Sequence, residues 1–339
     1  MLLLILRNFF YSFCMIMIFA GCGSFSSVAN NVSKDSKQAL DSIKTKPFSI
    51  TKNDKNSQEI SYENFINEIA KYDIVVIGEQ HDSLNQHIAQ AKIIESLQQK
   101  RHINVVYEMI STEKQGVLNA AKKNKNLPKN KLKNAIEWDK KWDYDMYKYP
   151  LEATFYSDAG LFGGNLSRDE INMFFAQNIA PISGKVSNTQ SVKERLKELI
   201  AKAHDTDIND PKNSEMLDIL VEIQQYKDRR MADVLVHVSG SDFAEYLQNN
   251  KVIESSSLDK KDSKNNNIES SEVTQDSMLM SNPESVLLAG QYHAFKTLGV
   301  PLHIIDFNKN KKVVVVILST KGDKVAKKEY DYLINFDTK

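Results

Sequence analysis

Apolar and polar positions along this chain fall into short blocks whose period changes from one block to the next. Two blocks share one design. Ile74-Val75-Val76-Ile77 runs directly into Gly78-Glu79-Gln80-His81, and Val286-Leu287-Leu288-Ala289 runs directly into Gly290-Gln291-Tyr292-His293. An unbroken apolar run, β-branched or leucine-rich and closed by Gly, predicts a strand buried on both faces of a parallel sheet. In such a sheet the residues just past the carboxyl ends of the strands line the ligand crevice. The pattern therefore predicts that Glu79, His81, Tyr292 and His293 meet at one end of the sheet.

The intervening blocks predict alternating helices and strands. A short helix around Tyr62-Glu63-Asn64-Phe65 opens the folded part. Residues 84–99 carry an apolar stripe at helical spacing, through Leu84, Ile88, Ala91, Ile94 and Leu97. Asp82 and Ser83 stand where an N-cap belongs. Asn104-Val105-Val106-Tyr107-Glu108 reads as a second buried strand ending in a carboxylate, and Leu161-Phe162-Gly163-Gly164-Asn165 as a short strand ending in a turn. Helices are expected from Thr112, around residues 138–147, over residues 150–158, and through a long stretch to Asn249 with a polar break at residues 204–213. Strands return at residues 286–290, 302–307 and 313–318. The expected fold is α/β, with a mostly parallel central sheet flanked by helices and a helical subdomain at about 112–249. Residues 251–282 are dense in Ser, Asp, Asn and Lys and read as a disordered polar insertion.

The first residues belong to another pattern. Arg7 precedes an apolar stretch at residues 9–20 that is short for a stable membrane span. It ends in Phe19-Ala20-Gly21-Cys22, which resembles the lipobox of bacterial lipoproteins, with Phe where Leu is usual. The resemblance implies a signal peptide over residues 1–21, lipidation at Cys22 and a lipid-anchored protein of the cell envelope. Gly23 fits sorting to the outer membrane. A polar tether is expected over residues 22–59, leaving 60–339 as the folded domain. The other cysteine, Cys14, lies within the signal core, so the mature chain is expected to have no disulfide and no cysteine-held metal. Acidic and basic residues balance at 44 each in 339, which argues against a general nucleic-acid binder.

The polar groups at the predicted strand ends are Glu79 with His81, Glu108, Asn165, and Tyr292 with His293. Imidazole and carboxylate together suit a divalent metal. The spacing Glu79-x-His81 is not that of the His-Glu-x-x-His zinc proteases, although His87 follows in the next helix. A tyrosine at the mouth of a crevice is a known type of axial ligand for ferric haem, and the neighbouring His293 can assist its phenol. Arg229 and Arg230, adjacent on a predicted helix, either face solvent or neutralise carboxylates such as haem propionates.

Several of these motifs, taken in order, resemble the ChaN family of iron-regulated, haem-binding bacterial lipoproteins. They are residues 76–82 with His87 and Gln90, then Val106-Tyr107-Glu108-Met109, Gly164-Asn165, Arg230-Met231-Ala232 and Ala289-Gly290-Gln291-Tyr292-His293. The resemblance runs from about Tyr62 to Leu318 without the insertion. It implies a domain related to erythromycin-esterase-like and TraB/TIKI-like proteins, and a homodimer enclosing two haems face to face. A tyrosine of one subunit ligates iron and a histidine comes from the other. Tyr292 best matches that tyrosine, with Tyr226 as the second candidate, and His81 the histidine. An outer-membrane haem receptor is a candidate partner. The competing expectation is a hydrolase in which Glu79, His81, Glu108 and His293 hold a divalent metal or act as acid and base. No Gly-x-Ser-x-Gly elbow supplies a serine nucleophile.

Overall fold

The computed structural model describes residues 48–176, 179–180, 182–240 and 283–337. The expected signal peptide and its Cys22, and the expected polar insertion, lie outside these residues. Seven strands are present among the described residues: β1 (Phe48–Lys52), β2 (Ile74–Glu79), β3 (Ile103–Ser111), β4 (Gly160–Asn165), β5 (Glu284–Gly290), β6 (Val313–Thr320) and β7 (Tyr332–Phe336). They form one sheet in the order β1-β7-β6-β2-β5-β3-β4. Every neighbouring pair is parallel except β1 with β7.

The apolar runs bury both faces because side chains alternate along a strand. Val75, Ile77, Val105, Tyr107, Val286 and Leu288 enter one core layer. Ile74, Val76, Val106, Leu287 and Ala289 enter the other. The first layer is covered by α1 (Tyr62–Ile69), α2 (Leu84–Gln98) and α5 (Tyr144–Phe155), through Phe65, Ile69, Ile93, Leu97, Leu151 and Phe155. The second is covered by α7 (Gln190–Ala203), α8 (Pro211–His237) and α10 (Val300–Phe307), through Leu196, Met231, Leu235 and Ile304. Shorter helices complete the chain: α3 (Gln115–Lys122), α4 (Lys129–Ala135), α6 (Arg168–Phe175) and the single turn α9 (Gln291–Ala294). The helix-rich middle of the chain also builds a small apolar cluster of its own from Leu166, Phe174, Leu220 and Ile223.

The expected α/β architecture is present, and four local expectations change. Residues 302–307 are helical, not extended: Pro301 sits in the first turn of α10, where its fixed φ favours a helix. A short apolar run does not by itself distinguish a buried strand from a buried helix. The stretch expected to be tether contains β1, which pairs Phe48 with Phe336 and Ile50 with Ile334. Both β1, at the sheet edge, and β7 beside it are short and only part-buried, five residues each. Pro150 lies inside α5, which starts earlier at Tyr144 with Asp143 as its cap. The N-cap of α2 is Ser83, whose hydroxyl makes no capping bond.

Candidate functional site

The parallel strands bring their carboxyl ends to one edge of the sheet, and the polar residues expected there do converge. Glu79 closes β2 opposite Gly290 at the end of β5. Glu108 lies near the end of β3, and α9 follows β5 without a linker.

Glu79 is buried at the centre of the first group. Its carboxylate accepts from the Tyr147 hydroxyl at 2.6 Å, from Gln90 Nε2 at 2.6 Å, and from Nδ1 of His81 and of His87 at 3.0 Å each. His87 Nε2 meets the His81 carbonyl at 3.2 Å, so both ring nitrogens of this buried histidine face acceptors. That is the donor pattern of an imidazolium. Burial opposes the charge on both histidines, but hydrogen bonding to Glu79 and the carboxylate charges outweigh it and raise both above the ordinary histidine range. Burial likewise opposes ionisation of Glu79, but the charge of His87 and the bonds from both rings bring its pKa down to about 2. His81 keeps 37% of its side chain exposed and lies 4.8 Å, ring to ring, from Trp142.

The second group surrounds His293. Its Nδ1 stands 2.5 Å from Asp228 Oδ1 on α8, and its Nε2 3.2 Å from Glu108 Oε1. The other Glu108 oxygen accepts from the Gly290 amide at 2.8 Å. Burial disfavours the imidazolium here too, yet two carboxylates at contact raise its pKa to about 10. Asp228 is raised to about 6, because burial outweighs the stabilisation from His293. Glu108 is held well below the carboxylate range despite its burial, chiefly by His293. Gln224 Nε2 lies 2.9 Å from His293 Nδ1. Two donors cannot share that contact, so with a protonated ring the Gln224 amide is flipped to present oxygen.

Gly290 joins the two groups. A Cβ there would come within 2.8 Å of His81 Nε2 and 3.7 Å of Glu108 Oε2. Only glycine leaves this seat open between the half-exposed His81 and the buried pair.

Tyr292 is 43% exposed on α9 and stacks edge-on against Phe295 at 5.5 Å. Asn165 is structural: its amide donates to the Glu108 carbonyl at 2.8 Å and its oxygen caps Leu166 N. The two arginines separate. Arg230 bonds Glu170 at 2.6 Å and Thr112 at 2.7 Å, whereas Arg229 covers the Phe307 ring and donates to the Ser183 carbonyl. Tyr226 packs against Phe174 and donates to the Ala180 carbonyl. The structure thus brings together Glu79, His81, Glu108 and His293, carries Tyr292 next to His293 on α9 with its ring against Phe295, and leaves Arg229, Arg230 and Tyr226 in other contacts. Among the described residues no group of three or more His, Cys, Asp or Glu is arranged to hold a metal ion. The imidazole nitrogens that the divalent-metal alternative needs are largely engaged by carboxylates.

Sequence reasoning missed Asp228, Gln224, Tyr147 and Trp142. Gln224 and Asp228 share a helix face at i, i+4 spacing, which was a readable signal. Tyr147 reaches Glu79 from 68 positions away and left none.

Fold and site define an α/β protein of parallel type with a histidine–carboxylate site at the strand ends. The family model for haem-binding uptake proteins of the Tiki superfamily, ChaN, matches residues 65–253. The chain belongs to this ChaN family. A solved structure described as cofacial heme binding to ChaN of Campylobacter jejuni is 34% identical, with a TM-score of 0.68, covering 86% of this chain and 98% of that one. A mutant of the erythromycin esterase EreC, in its open conformation, is 12% identical at a TM-score of 0.41, with 86% and 83% covered. The type III effector HopBA1 is 12% identical at 0.37, with 81% and 92% covered. No curated protein matches the chain.

Proposed function

We propose that this protein binds ferric haem at the carboxyl end of its sheet and serves haem or iron acquisition at the cell envelope. The observation that carries the reading is Tyr292, an exposed phenol next to the site residue His293 in a chain 34% identical to a haem-binding ChaN. The donor set fits the group, since a phenolate oxygen is an established protein ligand of haem iron. Tyr292 would supply that oxygen, and His81 of the partner subunit, half exposed on the same edge, the histidine on the iron side. Haem, when bound, would supply a ferric centre able to take a phenolate oxygen as ligand. The chain's own residues orient the phenol and provide charge beside it through His293 and Glu108. Two such sites facing one another make a homodimer whose assembly depends on haem. Lipidation at Cys22 would tether the protein to the outer membrane, within reach of a haem receptor.

Haem titration of the full-length chain in detergent tests this, read by absorption, with sedimentation velocity on the same samples. Wild type is expected to show a tyrosinate-type ferric spectrum and to double its mass as haem saturates. Tyr292→Phe is expected to lose the spectrum. A variant spectrum identical to wild type refutes the ligand, and a monomer at saturating haem refutes the shared site.

A second reading, hydrolysis without metal, is favoured by one geometric fact. Glu79 backs His81 Nδ1 while Nε2 points over the open seat at Gly290, the arrangement of a carboxylate-oriented general base. It requires ester or amide turnover by haem-free protein that His81→Ala and Glu108→Ala each abolish. A wild-type protein inert toward both bond types refutes it.

A further inference from the structure

The haem reading needs Tyr292 to be held in one place, yet the turn that carries it cannot hold itself. α9 has four residues, far short of a length at which a helix is stable alone. It is pinned from outside at three points. At its start the Gly290 amide bonds Glu108 Oε2. Behind it the loop folds back so closely that a Cβ on Gly299 would stand 2.0 Å from the His293 carbonyl oxygen and 2.9 Å from that of Tyr292. At its centre the His293 ring is clamped between Glu108 and Asp228.

Asp228 is the pin whose presence nothing else in the fold explains. It is fully buried on the long helix α8. Oδ1 engages His293, while Oδ2 has no hydrogen-bond partner. A buried carboxylate with an unused oxygen is costly to keep, and its one hydrogen-bonding contact is the residue next to Tyr292.

Resting on the assignment of Tyr292 to the iron, we propose that Asp228 is a positioning residue for haem ligation. It holds the His293 ring, and through that ring the turn, so that the Tyr292 phenol stands ready for the metal. Asp228 touches neither haem nor iron. The long helix that delivers it packs against α10 and the sheet, so the ligand is referred to the rigid body of the fold instead of to its own short turn.

The test is a haem titration of the full-length chain carrying Asp228→Ala, Asp228→Asn or Tyr292→Phe, each checked for wild-type far-UV dichroism. Asp228→Ala is expected to weaken ferric haem binding roughly 10–100-fold, the usual effect of losing a group that orients a metal ligand. The haem that still binds is expected to show a diminished tyrosinate band. Asp228→Asn retains a polar group at Nδ1 and is expected to restore both affinity and band. Should Asp228→Ala fail to fold, Asp228→Ser carries the same expectation, since its side chain is too short to reach the ring. Wild-type affinity and band in Asp228→Ala (or Asp228→Ser) overturn the proposal, as does an Asp228→Asn variant impaired to the same degree. Failure of the underlying ligand assignment is seen separately, as a Tyr292→Phe protein that keeps the wild-type spectrum.

Discussion

Glu79 offers a perturbation whose size follows from the structure. Its carboxylate is buried and is shared by Tyr147, Gln90, His81 and His87. Glu79→Gln keeps the shape but removes the charge, and it turns an amide NH2 toward neighbours that are themselves donors. A carboxyl titrating near 2 in the fold and near 4.5 when free corresponds to about 3 kcal/mol of stabilisation. That places the variant's melting temperature roughly 6–12 °C below wild type. The pH window follows from the signs. A lowered carboxyl pKa contributes stability that is complete above the unfolded value and lost as pH falls through the folded one. The raised pKa values of His81 and His87 contribute stability that is complete below the ordinary value of 6.5 and lost as pH rises through their folded values. Both contributions are therefore full near pH 5.5, and the gap between variant and wild type should close toward pH 2. Thermal melts by circular dichroism across this range measure it. A gap below about 1 kcal/mol at pH 5.5, or one that widens on acidification, would refute the view of Glu79 as a buried anion held by the groups that converge on it.

Two further substitutions probe the same edge and the loop near it. Gly290→Ala forces a methyl group against the His81 ring, which Glu79, Tyr147 and Trp142 hold from other sides. Overpacking of this kind costs about 1–3 kcal/mol in denaturant unfolding, and an unchanged midpoint would mean that the ring swings away freely. Asp306 receives the amides of Lys185, Val186 and Ser187 and the Ser187 hydroxyl. Asp306→Ala should release those three amides to rapid hydrogen exchange while the sheet stays protected, and retained protection would show that the loop is held by something else. Burial opposes ionisation of Asp306, but the Ser187 hydroxyl and the three amides lower its pKa. Its share of stability is thus present above 3.8 and lost as pH falls further.

The position of the site was legible because it depends on local pattern. Unbroken runs such as residues 74–77 and 286–289 bury both faces, two-sided burial implies a parallel sheet, and parallel strands send whatever follows them to one edge. Glu79, His81, Glu108 and His293 could be named on that ground alone. Strands β1 and β7 escaped because they are short and bury only part of their residues, and α10 was misread because its apolar run has no period to read. The tertiary structure alone decided how the edge is wired. Asp228 and Tyr147 reach the strand ends from 65 and 68 positions away: Asp228 makes His293 the partner of two carboxylates, and Tyr147 adds a hydroxyl to the carboxylate that His81 and His87 share. It also sent Arg229 and Arg230 to different neighbours, since adjacent residues on a helix point about 100° apart. Burial and period belong to the local chain, and so the sequence carries them. Charge pairing belongs to contacts across a core whose helices were placed by packing, and no local pattern records it.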